Sequence, residues 1–249
     1  MTDERTPDVV VVLGPRGETD AADRAFLLAA AGWALGSVPG SLSLGRHCPT
    51  CGGADHGRPI LGRAGGVAGS GNRLDVSLSR AGSSVAVALS FSGPVGIDIE
   101  SVDAVVRAGF DDVAFNPVEL AALAELSVVD AGRARTAIWT GKEAALKAIG
   151  VGLRADPRTL TVRLPRPGED TDPALNAEPQ NALPHLLLPH LLPCLLPCLL
   201  PRLAAFDAGP GLVGTIAVFT AAAPAVQVLP AGSIRGLPVP VTEVTDLPH

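Results

Sequence analysis

From Leu74 to Glu100 the chain alternates apolar and polar residues with a period of two. Leu74, Val76 and Leu78 alternate with Asp75, Ser77 and Ser79, and Val85, Val87, Leu89 and Phe91 share one face of the next run. After the turn Ser92-Gly93-Pro94, Val95, Ile97 and Ile99 alternate with Gly96, Asp98 and Glu100. Period two sends alternate side chains to opposite faces of a strand, so three strands are predicted, arranged as a small antiparallel meander. Upstream, Val9–Leu13 predicts a strand. Asp20–Leu35 predicts a helix with Asp20 as N-cap and Gly36 as stop. Ser37–Gly57 and Gly62–Gly71 have the composition of loops. Downstream, Pro117–Leu126 predicts a helix with Pro in its first turn, and Ala131–Ile149 a longer one ended by Gly150. Thr159–Leu164 and Leu212–Phe219 predict strands.

One stretch obeys neither period. Leu183–Leu203 repeats Leu-Leu-Pro, with proline at 184, 189, 193, 197 and 201. Its apolar content resembles that of a membrane span, but each interior proline costs a helix about 3 kcal/mol. The expectation is an irregular extended insertion over about 166–205, and no membrane anchor. Met1–Arg5 carries acids, and the first apolar run is only five residues long, which does not match a secretory signal and predicts a cytoplasmic protein. The chain has 249 residues, enough for one large domain or two small ones. Its net charge of −6 opposes a nucleic-acid partner.

The chemistry is concentrated in two segments. Asp98 and Glu100 are two apart on a predicted strand, so both carboxylates leave the same face. Paired carboxylates repel unless a cation lies between them, and hard oxygen donors favour Mg²⁺, or Mn²⁺ in its place, over zinc. Taken alone, the pair equally fits a solvated strand edge carrying two charges that discourage aggregation. The second segment is Trp139-Thr-Gly-Lys142-Glu143-Ala-Ala-Leu-Lys147. Glu143 and Lys147 are one helical turn apart, and Trp139 stands a turn earlier on the same side. Of 19 basic residues, 17 are Arg, and the only two lysines are Lys142 and Lys147. Between positions 133 and 163 seven basic residues face two acids, a local charge of +5 in an acidic chain. A cationic field beside a carboxylate pair suits a bound polyphosphate with a metal.

These two segments, Gly96-Ile-Asp98-Ile-Glu100 and Trp139-Thr-Gly-Lys142-Glu143-Ala-Ala-Leu-Lys147, resemble the two-part signature of the 4′-phosphopantetheinyl transferase superfamily. Gly57-Arg58-Pro59, Ser77-Leu-Ser79-Arg80-Ala-Gly82, Phe115-Asn-Pro-Val-Glu119 and Gly150-Val-Gly152-Leu153 are similar to further segments of its larger, surfactin-synthetase-type branch. The Cys-x-x-Cys-Gly before His56-Gly57-Arg58-Pro59 resembles a variant found in actinobacterial members. The resemblance covers Asp23 to about Leu164 and resumes at Leu212–Phe219.

The resemblance implies two similar α+β halves related by a pseudo-twofold axis, here 1–92 and 93–249, with coenzyme A between them. It implies transfer of the 4′-phosphopantetheine arm of coenzyme A to a serine of an apo acyl or peptidyl carrier protein, with release of adenosine 3′,5′-bisphosphate. The carrier would serve fatty-acid, polyketide or nonribosomal-peptide synthesis, and the enzyme would be a monomer. Asp98, Glu100 and Glu143 would hold Mg²⁺, and Glu143 and Lys147 would act in catalysis. Coenzyme A would meet Arg24, Arg58, Ser79, Arg80, Asp98, Lys142 and Lys147. Arg80 stands where most relatives have His, and Arg58 where they have Lys. The competing expectation is a catalytically degenerate relative that binds coenzyme A or a carrier protein without transfer. Cys48, Cys51, His47 and His56 have the residue types of a zinc site, but Cys-x₂-Cys-x₄-His lacks a fourth ligand nearby, and no metal is assigned to them from sequence.

Overall fold

In the computed structural model of the protein, residues 7–38, 40–65, 74–165, 174–177 and 200–234 are described. Strand β1 (Val9–Pro15) leads into helix α1 (Asp20–Ala34). Five strands follow: β2 (Leu42–His47), β3 (Arg58–Arg63), β4 (Asp75–Ala81), β5 (Ser84–Ser90) and β6 (Val95–Ser101). Then come helices α2 (Val102–Ala108), α3 (Asp111–Ala114), α4 (Pro117–Ala124) and α5 (Val128–Ile149). The chain continues through β7 (Leu160–Arg163), β8 (Ala174–Ala177), β9 (Arg202–Phe206), β10 (Leu212–Val218) and β11 (Val226–Pro230). The fold is mixed α+β, as expected. The Leu-Pro stretch from 183 to 199 lies outside the described residues, and β9 begins just after it.

Two larger sheets organise these elements, beside the two-stranded pairs β2-β3 and β7-β8. One has the order β11-β1-β5-β4, the other β6-β10-β9. The predicted meander is therefore corrected. β4 and β5 pair antiparallel, but β6 leaves them and pairs with β10, Asp98 opposite Thr215. The reason is that β6 has two faces to cover. Val95, Ile97 and Ile99 pack with Val9, Val11, Ala86 and Ala88 of the first sheet, filling the space between the sheets. The Gly96 and Asp98 face turns to α5 instead. A Cβ on Gly96 would lie 1.9 Å from the Ala144 carbonyl oxygen, so only glycine lets the helix come this close.

On the far side of the first sheet, Phe26, Leu27, Ala30 and Ala31 of α1 pack on Val85, Val87 and Leu89. Ile138, Ala145 and Ile149 of α5 lie in the core on the outer side of the second sheet. The layers thus run helix, sheet, sheet, helix. Edge strands β4 and β6 meet at a seam between the sheets, where Ile97 N–H donates to Ser77 Oγ (3.2 Å).

Two further expectations change. The N-cap of α1 is Thr19, whose hydroxyl accepts from Ala22 N–H (3.1 Å), and not Asp20. The stretch 37–57 read as loop contains β2, which forms a hairpin with β3. In that hairpin His47 pairs with Arg58 across ten intervening residues.

Candidate functional site

α5 is the element that assembles the site. Ser127 caps its start, accepting from Asp130 N–H (3.2 Å), and Gly150, with φ +87°, closes its end in the left-handed region. Because α5 lies on β6 at Gly96, Glu143 and Lys147 stand beside Asp98. Lys147 Nζ donates to Asp98 Oδ1 (2.6 Å), to the Ile97 carbonyl (3.1 Å) and to Ser79 Oγ (3.3 Å). Ser79 Oγ in turn donates to Asp98 Oδ1 (2.7 Å). The ammonium thus bridges the helix to both sheets, and its pairing goes to the strand rather than to Glu143 one turn away.

Asp98 is only 3 % exposed, and its second oxygen, Oδ2, has no hydrogen-bond partner. Such an orphaned oxygen is costly without a proton or cation. Its neighbours show the same tension. Burial, then the charges of Asp98 and Glu143, push Glu100 up to about 7, against the opposing pull of Lys147 and Trp139. Burial also raises Glu143, helped by Asp98 and opposed by Lys147. Glu100 and Glu143, both raised beside the orphaned Asp98 oxygen, complete a set of hard oxygen donors of the type a divalent cation takes, although the three carboxylates are not drawn within 4.8 Å of one another.

Glu143 and Lys147 open onto a cavity of about 940 Å³. Its walls come from α1, the β2–β3 hairpin, β4, and the turn after α5. Six cationic side chains line it: Arg24, Arg46, Arg58, Arg80, Lys147 and Arg154. Asp20 and Glu143 are the acids among the lining residues. Six cations around one pocket, in a chain of net charge −6, concentrate positive charge where a polyanion would be attracted. Arg80 is fixed through Nε by the buried Asp23, and its Nη2 lies 3.6 Å from Asp20. Arg58 stands 3.9 Å from Asp75 through Nη1, while its buried Nε has no hydrogen-bond partner. On the wall, Arg154 Nη2 donates to Cys48 Sγ (3.3 Å). Burial pushes the Cys48 thiol up, but the Cys51 and Thr50 amides, the Cys51 side chain and Arg154 outweigh it and bring the thiol down to about 6.

Of the residues singled out in the sequence, Arg24, Arg58, Arg80, Glu143 and Lys147 reach the cavity. Asp98, Glu100 and Ser79 stand behind it, Ser79 with its hydroxyl committed to Asp98. Lys142 requires correction. It is fully buried on the other side of α5, where Nζ donates to Glu119 Oε2 (2.5 Å) and the Ala114 carbonyl (2.7 Å), 5.6 Å from the centre of the Phe115 ring. It is not among the residues that line the cavity. Two arginines were missed. Arg154 lies within the +5 stretch, and Arg46 follows Leu42 and Leu44, an alternation that betrays the strand read as loop.

Residues 94–181 match the model of the 4′-phosphopantetheinyl transferase superfamily. That span includes Asp98, Glu100, Glu143 and Lys147, whereas four of the five cavity arginines, Arg24, Arg46, Arg58 and Arg80, precede it. No curated protein matches the chain.

Proposed function

We propose that this protein transfers the 4′-phosphopantetheine arm of coenzyme A to a serine of an apo carrier protein. The observation that carries the reading is the junction of two features: a buried Asp98 held by Lys147 beside the partly buried Glu100 and Glu143, and a six-cation cavity next to them. The family match supports phosphopantetheine transfer in general. Asp98, Glu100 and Glu143 would hold Mg²⁺, with Mn²⁺ as a substitute. When bound, the ion neutralises charge on the pyrophosphate oxygens of coenzyme A.

The chain's own residues divide the remaining work. Arg24, Arg46, Arg58, Arg80 and Arg154 bind phosphate oxygens, and their planar forks favour that role. Glu143 takes the proton of the acceptor serine as its oxygen attacks the β-phosphorus. The phosphorus–oxygen bond to adenosine 3′,5′-bisphosphate breaks. Glu143's raised pKa brings it nearer neutrality, which suits a general base. Lys147 stabilises charge that grows on the phosphoryl oxygens. Ser79 and the Ile97 carbonyl fix Lys147 in position. Residues 1–92 and 93–249 form the two proposed halves, and β11 crosses back to pair with β1. Val113, Val118, Val128 and Val129 are exposed around α3, α4 and α5 and offer the carrier protein an apolar surface.

The test is intact-mass analysis of an apo carrier protein incubated with this protein, coenzyme A and Mg²⁺. A gain of one phosphopantetheine arm is expected, abolished by EDTA and by Asp98→Ala. Glu143→Gln should slow turnover about 10²-fold or more, the usual worth of a general base. No gain across several carrier types, with coenzyme A still bound, would favour the degenerate binding protein and make Arg80→His the first variant to try.

A further inference from the structure

The loop from Cys48 to Gly57 joins β2 to β3 and supplies Ala54, His56 and Gly57 to the cavity wall. It also gathers Cys48, Cys51 and His56, whose ligand atoms all lie within 4.8 Å of one another. Among the described residues this is the one trio of Cys, His, Asp or Glu drawn so close.

The details around it are those of a ligand set. His56 Nδ1 is 2.6 Å from Asp55 Oδ1. With the carboxylate accepting, Nδ1 carries the proton and Nε2 keeps its lone pair. Nε2 faces Cys51 Sγ at 3.2 Å. A carboxylate that fixes the tautomer of a histidine in this way is the usual support of a zinc ligand. Each sulfur also receives a donor, Gly53 N–H on Cys51 (3.4 Å) and Arg154 on Cys48, as thiolates would. Gly53 closes the cradle. A Cβ there would lie 2.9 Å from His56 Cε1, 3.1 Å from Asp55 Oδ1 and 3.2 Å from Cys51 Sγ. Zinc–sulfur bonds of about 2.3 Å place two sulfurs of a tetrahedral site about 3.8 Å apart, so the ligand atoms are within about 1 Å of their places.

We propose that Cys48, Cys51 and His56 bind one Zn²⁺ that staples this loop into the wall of the cationic cavity. The donors are two soft sulfurs and an imidazole, a set that selects zinc over the hard cation suited to Asp98, Glu100 and Glu143. Cys48 is buried and Cys51 exposed, so the fourth position faces solvent and takes water. The ion holds a loop whose glycines Gly52 and Gly57 sit at φ +72° and +90°. It thereby fixes the backbone just ahead of Arg58.

The experiment is metal analysis of freshly purified, reduced protein, expressed with added zinc and dialysed against zinc-free buffer. About one zinc per chain is expected in the wild type and in Asp98→Ala. Cys51→Ser and His56→Ala change exposed or half-exposed residues, and each should lower retained zinc at least tenfold with an unchanged circular dichroism spectrum. Cobalt added to metal-stripped wild type should give a thiolate-to-metal charge-transfer band, absent in Cys51→Ser. The proposal is overturned by a folded wild type without zinc, or by equal zinc in Cys51→Ser and His56→Ala. A Cys48–Cys51 disulfide found by peptide mapping of protein purified without reductant overturns it too. Zinc content is read without a transfer assay, so failure of the proposed reaction and failure of this site are separate results.

Discussion

The chain's two lysines lie on one helix, five residues apart, and do opposite things. Five residues at 3.6 per turn rotate a side chain by about 140°, which sends Lys142 and Lys147 to different sides of α5. Each meets a buried carboxylate, Glu119 for Lys142 and Asp98 for Lys147. The difference lies in what else those carboxylates do. Glu119 Oε2 also accepts from Asn116 N–H (3.0 Å), and Oε1 accepts from Val162 N–H (2.8 Å), so both oxygens of Glu119 are partnered. It ties α4, α5 and β7 together. Asp98 keeps one oxygen orphaned, and Lys147 retains 28 % exposure at the cavity. A closed pair holds the fold, while an open one is left with capacity for a ligand.

The sharpest way to break this contrast is to cut the closed pair. Lys142→Ala leaves Glu119 charged, buried and unpaired, and should cost about 3–5 kcal/mol in denaturant unfolding. Transfer per folded molecule should hardly change at low temperature. Burial already lowers the Lys142 pKa against the pull of Glu119, a sign of how little solvent reaches the pair. A large loss of turnover with unchanged stability would return Lys142 to the active site. Cutting the open pair should do the reverse. Lys147→Ala is expected to lower turnover about 10²- to 10³-fold, the usual cost of one donor to developing charge, with the smaller effect on thermal midpoint.

The smallest effect concerns pH. Glu100 titrates at about 7 in the folded protein against an ordinary 4.5. The fold therefore holds the proton more tightly than the unfolded chain does. The contribution to stability is complete below about pH 4.5 and is lost as pH rises through 7. Without divalent metal, the thermal midpoint should fall between pH 5 and 8. Saturating Mg²⁺ should flatten that slope, because the ion favours the charged carboxylates. A flat profile in EDTA would contradict the crowding of Asp98, Glu100 and Glu143.

How far the sequence could be read follows from the same physics. Period two located β4, β5 and β6, and the acid pair on β6, because alternation is local. It did not reveal that β6 joins β10, more than a hundred residues away, because both faces of β6 are covered and pairing is not written in either strand alone. Alternation puts Asp98 and Glu100 on one face of a strand but does not say that α5 packs on that face, as the close seating at Gly96 shows. Lys142 was misplaced because a motif gives spacing without a partner, and its partner Glu119 is 23 residues upstream. The strand β2 was hidden by Gly45 and the polar pair Arg46-His47, which read as loop.

The parallel pairing of β1 with β11 has a consequence for how the chain is made. β1 contains Val9-Val10-Val11-Val12-Leu13, and β5 covers only one of its edges. The other edge waits for Val226–Pro230, more than two hundred residues later in synthesis. Until then the nascent chain carries an unpaired, strongly apolar strand, the kind of edge that recruits other chains. A product truncated before Val226 keeps every residue of the proposed catalytic centre, yet it leaves that edge open and is expected to aggregate as it emerges from the ribosome.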